Sequence, residues 1–380
     1  MPDGVRKTFK YKLKPTSEQA RALETVLWRC QTLYNVAIEQ RKTWWRRGQG
    51  IGATYYQQKA ELPDLKAVSP EYTQVHAHIL QDVILRVERT YQAYLRRLKH
   101  GETPGYPRFQ GRGRYNSFTF PEYGNGAALN GSILSLSKIG RIRVRMHRSL
   151  AGIPKTVTIS READGWYACI SCAEVPTEPL PLMGTETGID IGLKVFLITA
   201  NGELIENPRH YREAEKRLRK VHRRVSRRKK GSNRQKKAGK LLAKVHRKVR
   251  RQRRDFHHKT ALRLIRGYDT IYLEDLRVAN MVQNHHLAKS ISDAGWTQFR
   301  TILAAKAAWA GHRVVAVPPA YTSQDCSGCG ERVLKSLSMR THICPSCGLV
   351  LDRDENAAKN ILRAGQARQA LTWPSGASVA

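Results

Sequence analysis

Residues 186–205 read ETGIDIGLKVFLITANGELI, and this stretch decides the fold class. Apolar residues crowd it without helical spacing and Gly192-Leu193 interrupts it, so it reads as two buried strands. DTIYLED (269–275) and HRVVAVPP (312–319) read as two more, with helical segments between them, which makes the chain from about residue 185 mixed α/β. Side chains alternate along a strand, so the isoleucines flanking Asp190 point into a core and its carboxylate projects from the other face.

Two further acids stand at the edges of apolar runs in a chain with 67 Lys and Arg but only 31 Asp and Glu. Glu274 ends Ile271-Tyr272-Leu273, and Asp354 falls in DRDENAAKN (352–360), where a helix opens. Carboxylates from two strands and a helix start are the hard oxygen ligands that two-metal phosphodiester hydrolysis requires, with the ions about 3.5–4 Å apart. A helix cap at Asp352 or Asp354 and a surface salt bridge at Glu274 account for the same residues, and these alternatives stay open at this point.

Between the last strand and that helix lie Cys326-Ser-Gly-Cys329-Gly330 and Cys344-Pro-Ser-Cys347-Gly348. Two such knuckles let four thiolates converge tetrahedrally, the glycines permitting the tight turns, and the pattern reads as a zinc ribbon. Four cysteines leave no open position for water, so a Zn²⁺ held there is structural, and neighbouring His342 stays outside the ligand set. Cys169 and Cys172 share the CxxC spacing but sit in a strand pattern, where residues three apart face opposite ways. Cys30 belongs to an apolar helix face.

A formal charge of +36 exceeds what solubility needs and implies a polyanion, a nucleic acid, as partner. No run approaches the roughly 18 apolar residues of a spanning helix, and Lys7, Lys10, Lys12 and Lys14 break up any signal-peptide core, so the expected location is cytoplasmic. The opening VRKTFKYKLKP alternates at period two and reads as a strand. From Thr16, a capping box with Gln19 opens a helix whose apolar face is Leu23, Val26, Leu27, Cys30, Leu33, Tyr34 and Ala37. A second helix runs from Val75 to Leu98, after a polar, aromatic loop. A Gly/Pro/Arg-rich connector follows, and then Ile142, Val144 and Met146 alternate with arginines, and 157–173 reads as a hairpin about Asp164-Gly165. These strands are expected to rejoin the first as one discontinuous barrel with the helices inserted. Residues 209–259 read as two long basic helices joined near Gly231-Ser232-Asn233, a track for phosphate backbones.

The segments GIDIG (188–192), YLEDL (272–276), SISDAGWTQFRTIL (290–303), PPAYTSQDCSGCG (318–330) and DRDENAAKNIL (352–362) follow one another in an order that resembles the TnpB family. These are transposon-encoded RNA-guided nucleases related to single-effector CRISPR nucleases. FKYKLKPTSEQ (9–19) and YPRFQGRGRYNSFTF (106–120) are similar to the family's opening strand and mid-chain connector. The resemblance implies an α+β multidomain chain: an oligonucleotide-binding-like wedge domain at 1–15 and 101–182, interrupted by a helical recognition lobe at 16–100. An RNase H-like (RuvC) nuclease domain follows at 183–321 and 349–365, with the ribbon at 322–348 and a disordered tail at 366–380.

It further implies Asp190, Glu274 and Asp354 as the catalytic Mg²⁺ (or Mn²⁺) ligands, Asp352 as a cap or orienting group, and Cys326, Cys329, Cys344 and Cys347 on zinc. The partners implied are a guide RNA from the transposon end and double-stranded target DNA read beside a short motif. A single copy of the chain is expected, in a ribonucleoprotein that associates with the nucleoid on target. Candidate nucleic-acid contacts are Gln74, His76, His78 and Gln81 for the motif, Trp44, Trp45, Tyr55 and Tyr56 for stacking, and Arg112 and Arg114 for the backbone. A nuclease-independent repressor, a conventional transposase and a ribosome-associated RNA binder are the competing readings.

Overall fold

The computed structural model describes residues 4–46, 53–111, 113–177, 179–336 and 339–372. The chain divides into two compact units, Met1–Pro176 and Thr177–Ala380.

In the first unit, strand β1 (Gly4–Lys14) buries Phe9, Tyr11 and Leu13 on one face and leaves Lys10, Lys12 and Lys14 on the other. The Thr16 amide donates to Gln19 Oε1 (3.0 Å) and the Gln19 amide to Thr16 Oγ1 (3.2 Å), closing the expected capping box of α1 (Ser17–Arg46). The loop expected next instead holds α2 (Tyr55–Ala60), α3 (Leu62–Val68) and a 3₁₀ turn (Pro70–Gln74). Each is too short to show a helical period, but Thr54 with Gln57 forms a second capping box. Helix α4 (Ala77–Lys99) then buries Ile79, Leu80, Val83, Ile84 and Val87.

Strands β2 (Ser117–Phe120), β3 (Ala127–Asn130), β4 (Ile133–Leu136), β5 (Gly140–Arg145), β6 (Ile153–Glu162) and β7 (Gly165–Pro176) complete a seven-stranded sheet in the order β2-β6-β7-β1-β5-β4-β3. The first strand therefore lies between β5 and β7, with four helices inserted after it. Among the described residues no ladder joins β2 to β3, so the sheet keeps two edges. Arg86 of α4 pins helix to sheet, donating to Asp82 (2.8 Å), the Ser117 carbonyl (2.7 Å) and Thr119 Oγ1 (2.7 Å).

The second unit is built on β8 (Glu186–Ile191), β9 (Val195–Thr199), β10 (Leu204–Glu206), β11 (Thr270–Glu274) and β12 (Arg313–Val317), in the order β10-β9-β8-β11-β12. Strands β8, β11 and β12 are parallel, while β9 and β10 run back antiparallel. The stretch that opened the sequence reading thus makes three strands rather than two, because Leu204–Glu206 folds back onto β9 after Gly202 turns at φ 79°. Helices α5 (His210–Ser226) and α6 (Asn233–Gly267) form the basic hairpin, joined through Gly231 and capped by Ser232, with Leu218, Val221, Val245 and Val249 as its thin core. After α7 (Val278–Met281), α8 (His285–Ala294) and α9 (Trp296–Ala310), the chain reaches β12 and then a small antiparallel pair, β13 (Thr341–Ile343) and β14 (Val350–Asp352). The final helix is α10 (Arg353–Thr372).

One face of this sheet packs on α6 and α9 through Ile189, Ile191, Ile271 and Leu273 against Leu264, Phe299 and Leu303. The other packs on α10, where Ile198, Tyr272 and Val317 meet Ala358 and Ile361. Gly188 and Gly365 make that approach possible: a Cβ at 188 would overlap the backbone of Ala358 and Leu362, and one at 365 the ring of Tyr272.

Two boundaries differ from those read in the sequence. The second unit begins at Thr177 rather than 183, since the Leu180 amide already donates to the Ala310 carbonyl (3.0 Å). Helix α10 continues through 366–372, where a disordered tail was expected. Gln366 donates to Glu186 (3.0 Å), Tyr272 to Gln369 (2.5 Å) and Arg368 to the Ala316 carbonyl (2.9 Å), so polar contacts order a stretch with few apolar residues. Residues 373–380 lie outside the described residues. No described helix is long and apolar enough to cross a membrane.

Candidate active site and cysteine cluster

The period-two pattern and the parallel pairing of β8 with β11 bring the first two acids together. Ile189 is registered opposite Leu273, and both point to the α6–α9 side. The next residues, Asp190 and Glu274, therefore face α10 side by side on neighbouring strands, which lie about 4.8 Å apart. Asp354 sits in the first turn of α10, over the same edge.

Burial, and then the charges of Glu274 and Asp354, push the Asp190 carboxyl up to about 8, opposed by Arg353. Burial also raises Glu274, against the hydroxyl of Thr322, which donates to its Oε1. Arg353 forks onto Asp354 Oδ1 (2.9 and 2.7 Å), and Arg340 approaches Oδ2 at 3.5 Å. Asp190, Asp352, Asp354 and Arg340 line one cavity with Lys194 and Leu197. A buried carboxylate raised further by two neighbouring carboxylate charges attracts a cation. They do not close to ligand spacing by themselves: among the described residues, only the cysteines form a group of three or more candidate ligands within 4.8 Å of one another.

The role of Asp352 is plain in its hydrogen bonds. Its Oδ1 accepts from the amides of Asp354 (2.8 Å) and Glu355 (3.4 Å), so it caps α10 and aims the residue two places on. Asn356 and Asn360, which sequence reading passed over, fasten the loop after β12 to α10. Asn356 donates to the Asp325 carbonyl (2.8 Å) and accepts from the Ser327 amide (2.9 Å); Asn360 donates to the carbonyls of Thr322 (2.9 Å) and Asp325 (2.6 Å). That loop carries both Thr322, on Glu274, and Cys326. The signal in the sequence was two asparagines four apart on the buried face of a helix that otherwise packs alanines.

Cys326, Cys329, Cys344 and Cys347 converge as expected, with Sγ–Sγ separations of 3.6 Å (326–347) and 3.5 Å (329–344). A tetrahedral ion with bonds of about 2.3 Å to sulfur needs edges of roughly 3.8 Å, so the thiols fit one. Gly330 (φ 84°) and Gly348 (φ 73°) make the left-handed turns of both knuckles. Backbone amides of Cys347 and Ser346 help hold the Cys344 thiol down at about 6. His342 is fully buried beside them with its Nδ1 on Lys335, outside the cluster. Cys172 is buried and Cys169 half-exposed on opposite faces of β7, and Cys30 is packed, with burial pushing its thiol up to about 12.

The expected nucleic-acid contacts all belong to the first unit, in separate settings. Gln74 accepts from Arg29 (3.1 Å), and the His76 ring lies against Phe120 (5.7 Å) and edge-on to His78 (5.4 Å). Gln81 and Trp44 are half-buried, Tyr55 packs against the core, Tyr56 is 79% exposed and Arg114 is exposed. The side chain of Trp45, and Arg112 altogether, lie outside the described residues.

Residues 170–285 match the family described as "Probable transposase", 296–361 a "Cas12f1-like, TNB domain" and 1–50 a "Helix-turn-helix domain". Over that last range the described residues form a strand and one 30-residue helix. The structure is similar to that of Cas12f1 in its complex with sgRNA and target DNA (TM-score 0.55, 15% identity, 91% of this chain and 83% of that one). The chain thus shares an α+β fold with that protein and carries a four-cysteine cluster. A Streptomyces pristinaespiralis protein named "Putative RNA-guided DNA endonuclease" is 35% identical over 97% of this chain and 92% of its own length. Escherichia coli K12 InsQ, named likewise, is 28% identical over 94% and 92%. The chain belongs to the TnpB family of RNA-guided DNA endonucleases.

Proposed function

We propose that the chain is the RNA-guided DNA endonuclease of a transposable element, cutting double-stranded DNA beside a short motif with Asp190, Glu274 and Asp354. The observation that carries this reading is the gathering of the three acids at one end of parallel strands, with Asp190 pushed up to about 8. The strand order and the helix bearing the third acid fit the RNase H-like (RuvC) domain that the family resemblance implies. Mg²⁺ or Mn²⁺ bound there would activate water and stabilise the leaving oxygen. Asp190 and Glu274 would hold the ion through their carboxylate oxygens from adjacent strands, Thr322 orients Glu274, and Asp352 aims Asp354 by capping α10. Arg353 and Arg340 pair with Asp354 and hold it beside two acids that resist ionisation.

Zn²⁺ suits the four thiols and serves to fix the ribbon, which has little core of its own. The α5–α6 hairpin offers phosphates a basic track, and the first unit, with its basic-faced sheet, takes the wedge and recognition roles. One protein copy with one guide RNA, in the cytoplasm and on the nucleoid, completes the proposal.

The test is to express the chain with its flanking DNA, sequence the copurifying RNA, and challenge the particle with a plasmid library matching that RNA. A discrete RNA and Mg²⁺-dependent cuts beside one motif are expected, with Asp190→Ala binding the same target uncut. Guide-directed binding without cutting by the unaltered protein would instead identify a repressor, and no discrete RNA a transposase.

A further inference from the structure

Tyr321 opens the loop that carries Thr322, and it is built unlike its neighbours. Its φ is +62°, a left-handed conformation that costs a bulky residue free energy and persists only where surrounding contacts hold it. Those contacts are present: its carbonyl accepts from the amides of Gln324 and Asp325 (both 2.9 Å), and Asn360 holds the next carbonyl from α10. Burial does not explain the ring, which is 52% exposed. One face carries the guanidinium of Arg332, whose Cζ lies 3.6 Å from the ring centroid. Arg332 is itself locked by Asp325 Oδ1 (2.9 Å) and by the bridge between those two residues. The loop therefore spends strain to present a rigid aromatic plate, backed by a cation and open on its other face. Its Cα lies one peptide, about 3.8 Å, from that of Thr322, which touches Glu274.

We infer that Tyr321, backed by Arg332, is a stacking platform for an unpaired nucleobase next to the scissile phosphate. It acts as a positioning residue for cleavage. The inference rests on the nuclease reading above. Its chemistry is that of single-strand binding: every base has a π face, an aromatic ring takes it without regard to sequence, and a stacked arginine adds attraction and charge toward the flanking phosphate. A rigid plate suits an active site better than a mobile one, because it fixes the strand before the acids act.

The experiment uses the Asp190→Ala protein with its guide RNA, bound to target duplexes carrying 2-aminopurine at successive positions around the cut site. Fluorescence quenching at one position is expected, retained in Tyr321→Phe and lost in Tyr321→Gly. Gly relieves the positive φ, so this variant keeps its melting temperature and zinc content while losing the ring. In the cutting-competent protein, Tyr321→Gly slows cleavage between about fivefold and about 150-fold, as expected for one lost stack, with target affinity nearly unchanged. Arg332→Ala gives a smaller loss in the same direction. Quenching that survives in Tyr321→Gly, or a fall in melting temperature and zinc content that accounts for the slower cutting, would overturn the platform and leave the nuclease reading intact. Failure of the unaltered protein to bind guide-matched DNA would remove both.

Discussion

Replacing Asp190 by Asn keeps the shape of the side chain and removes its charge, which isolates what the carboxylate costs the fold. In the folded chain this acid titrates near 8, against an ordinary value of 3.8. Between those pH values the folded chain keeps a proton that the unfolded chain has lost, so stability falls as pH rises through the window and levels off above it. The span corresponds to roughly 6 kcal/mol at most, and water reaching a half-buried group reduces it to about 2–4 kcal/mol. Asp190→Asn should therefore match the unaltered protein near pH 4 and exceed it increasingly up to pH 8, by about 5–15 °C in melting temperature. Melting is followed without added Mg²⁺ but with the ribbon's metal retained. Adding Mg²⁺ should then stabilise the unaltered chain at pH 8 and leave Asp190→Asn unmoved. Parallel stability curves across pH 4–8, or equal stabilisation of both proteins by Mg²⁺, would refute the clustering of charge on which the site rests.

Cys344→Ser should lower bound zinc, measured by elemental analysis, and the melting temperature together; normal values of both would contradict a structural metal. Asn356→Ala takes the Asn356 acceptor from the Ser327 amide and leaves the Asp325 carbonyl to Asn360 alone, and should cost about 1–3 kcal/mol in urea unfolding. It should slow cutting while zinc stays at one per chain. His257 is fully buried against Phe196 and Phe299 with Nε2 on the Ala294 carbonyl, and burial holds it down at about 4. The unfolded chain takes up that proton from about pH 6.5, so stability drops by roughly 3 kcal/mol as pH falls from 6.5 to 4. His257→Gln should flatten that part of the acid-denaturation curve.

The sheet of the second unit was legible because its strands are continuous apolar runs, as strands covered on both faces must be. Asp190 and Glu274 drew attention because they fall within and at the end of such runs, and their catalytic role is the proposal made above. The four cysteines carry their geometry in their spacing. What stayed hidden depended on partners distant in the chain. Thr322, Asn356 and Asn360 act through one or two hydrogen bonds each across tens of residues, and no local pattern records them. Gly188 was read as part of a motif, but its need for a bare Cα appears only once α10 lies on β8. Strands β2 to β4 are four residues each, and α2 and α3 scarcely a turn or two, so none shows a period. The ordered helix at 366–372 was missed because polar contacts, not an apolar stripe, hold it.

The place of α10 after the sheet strands and the ribbon in chain order has a consequence for how the site is assembled. Asp354 is translated after both other acids, after the basic hairpin and after all four cysteines, and it reaches its place only when α10 docks on a finished sheet. On the proposed reading, a nascent chain presents its cationic hairpin before its three acids are assembled. A frameshift or stop between the basic hairpin and the ribbon removes the cysteines and α10 together, so on the proposed reading the three acids meet only once α10 has been made.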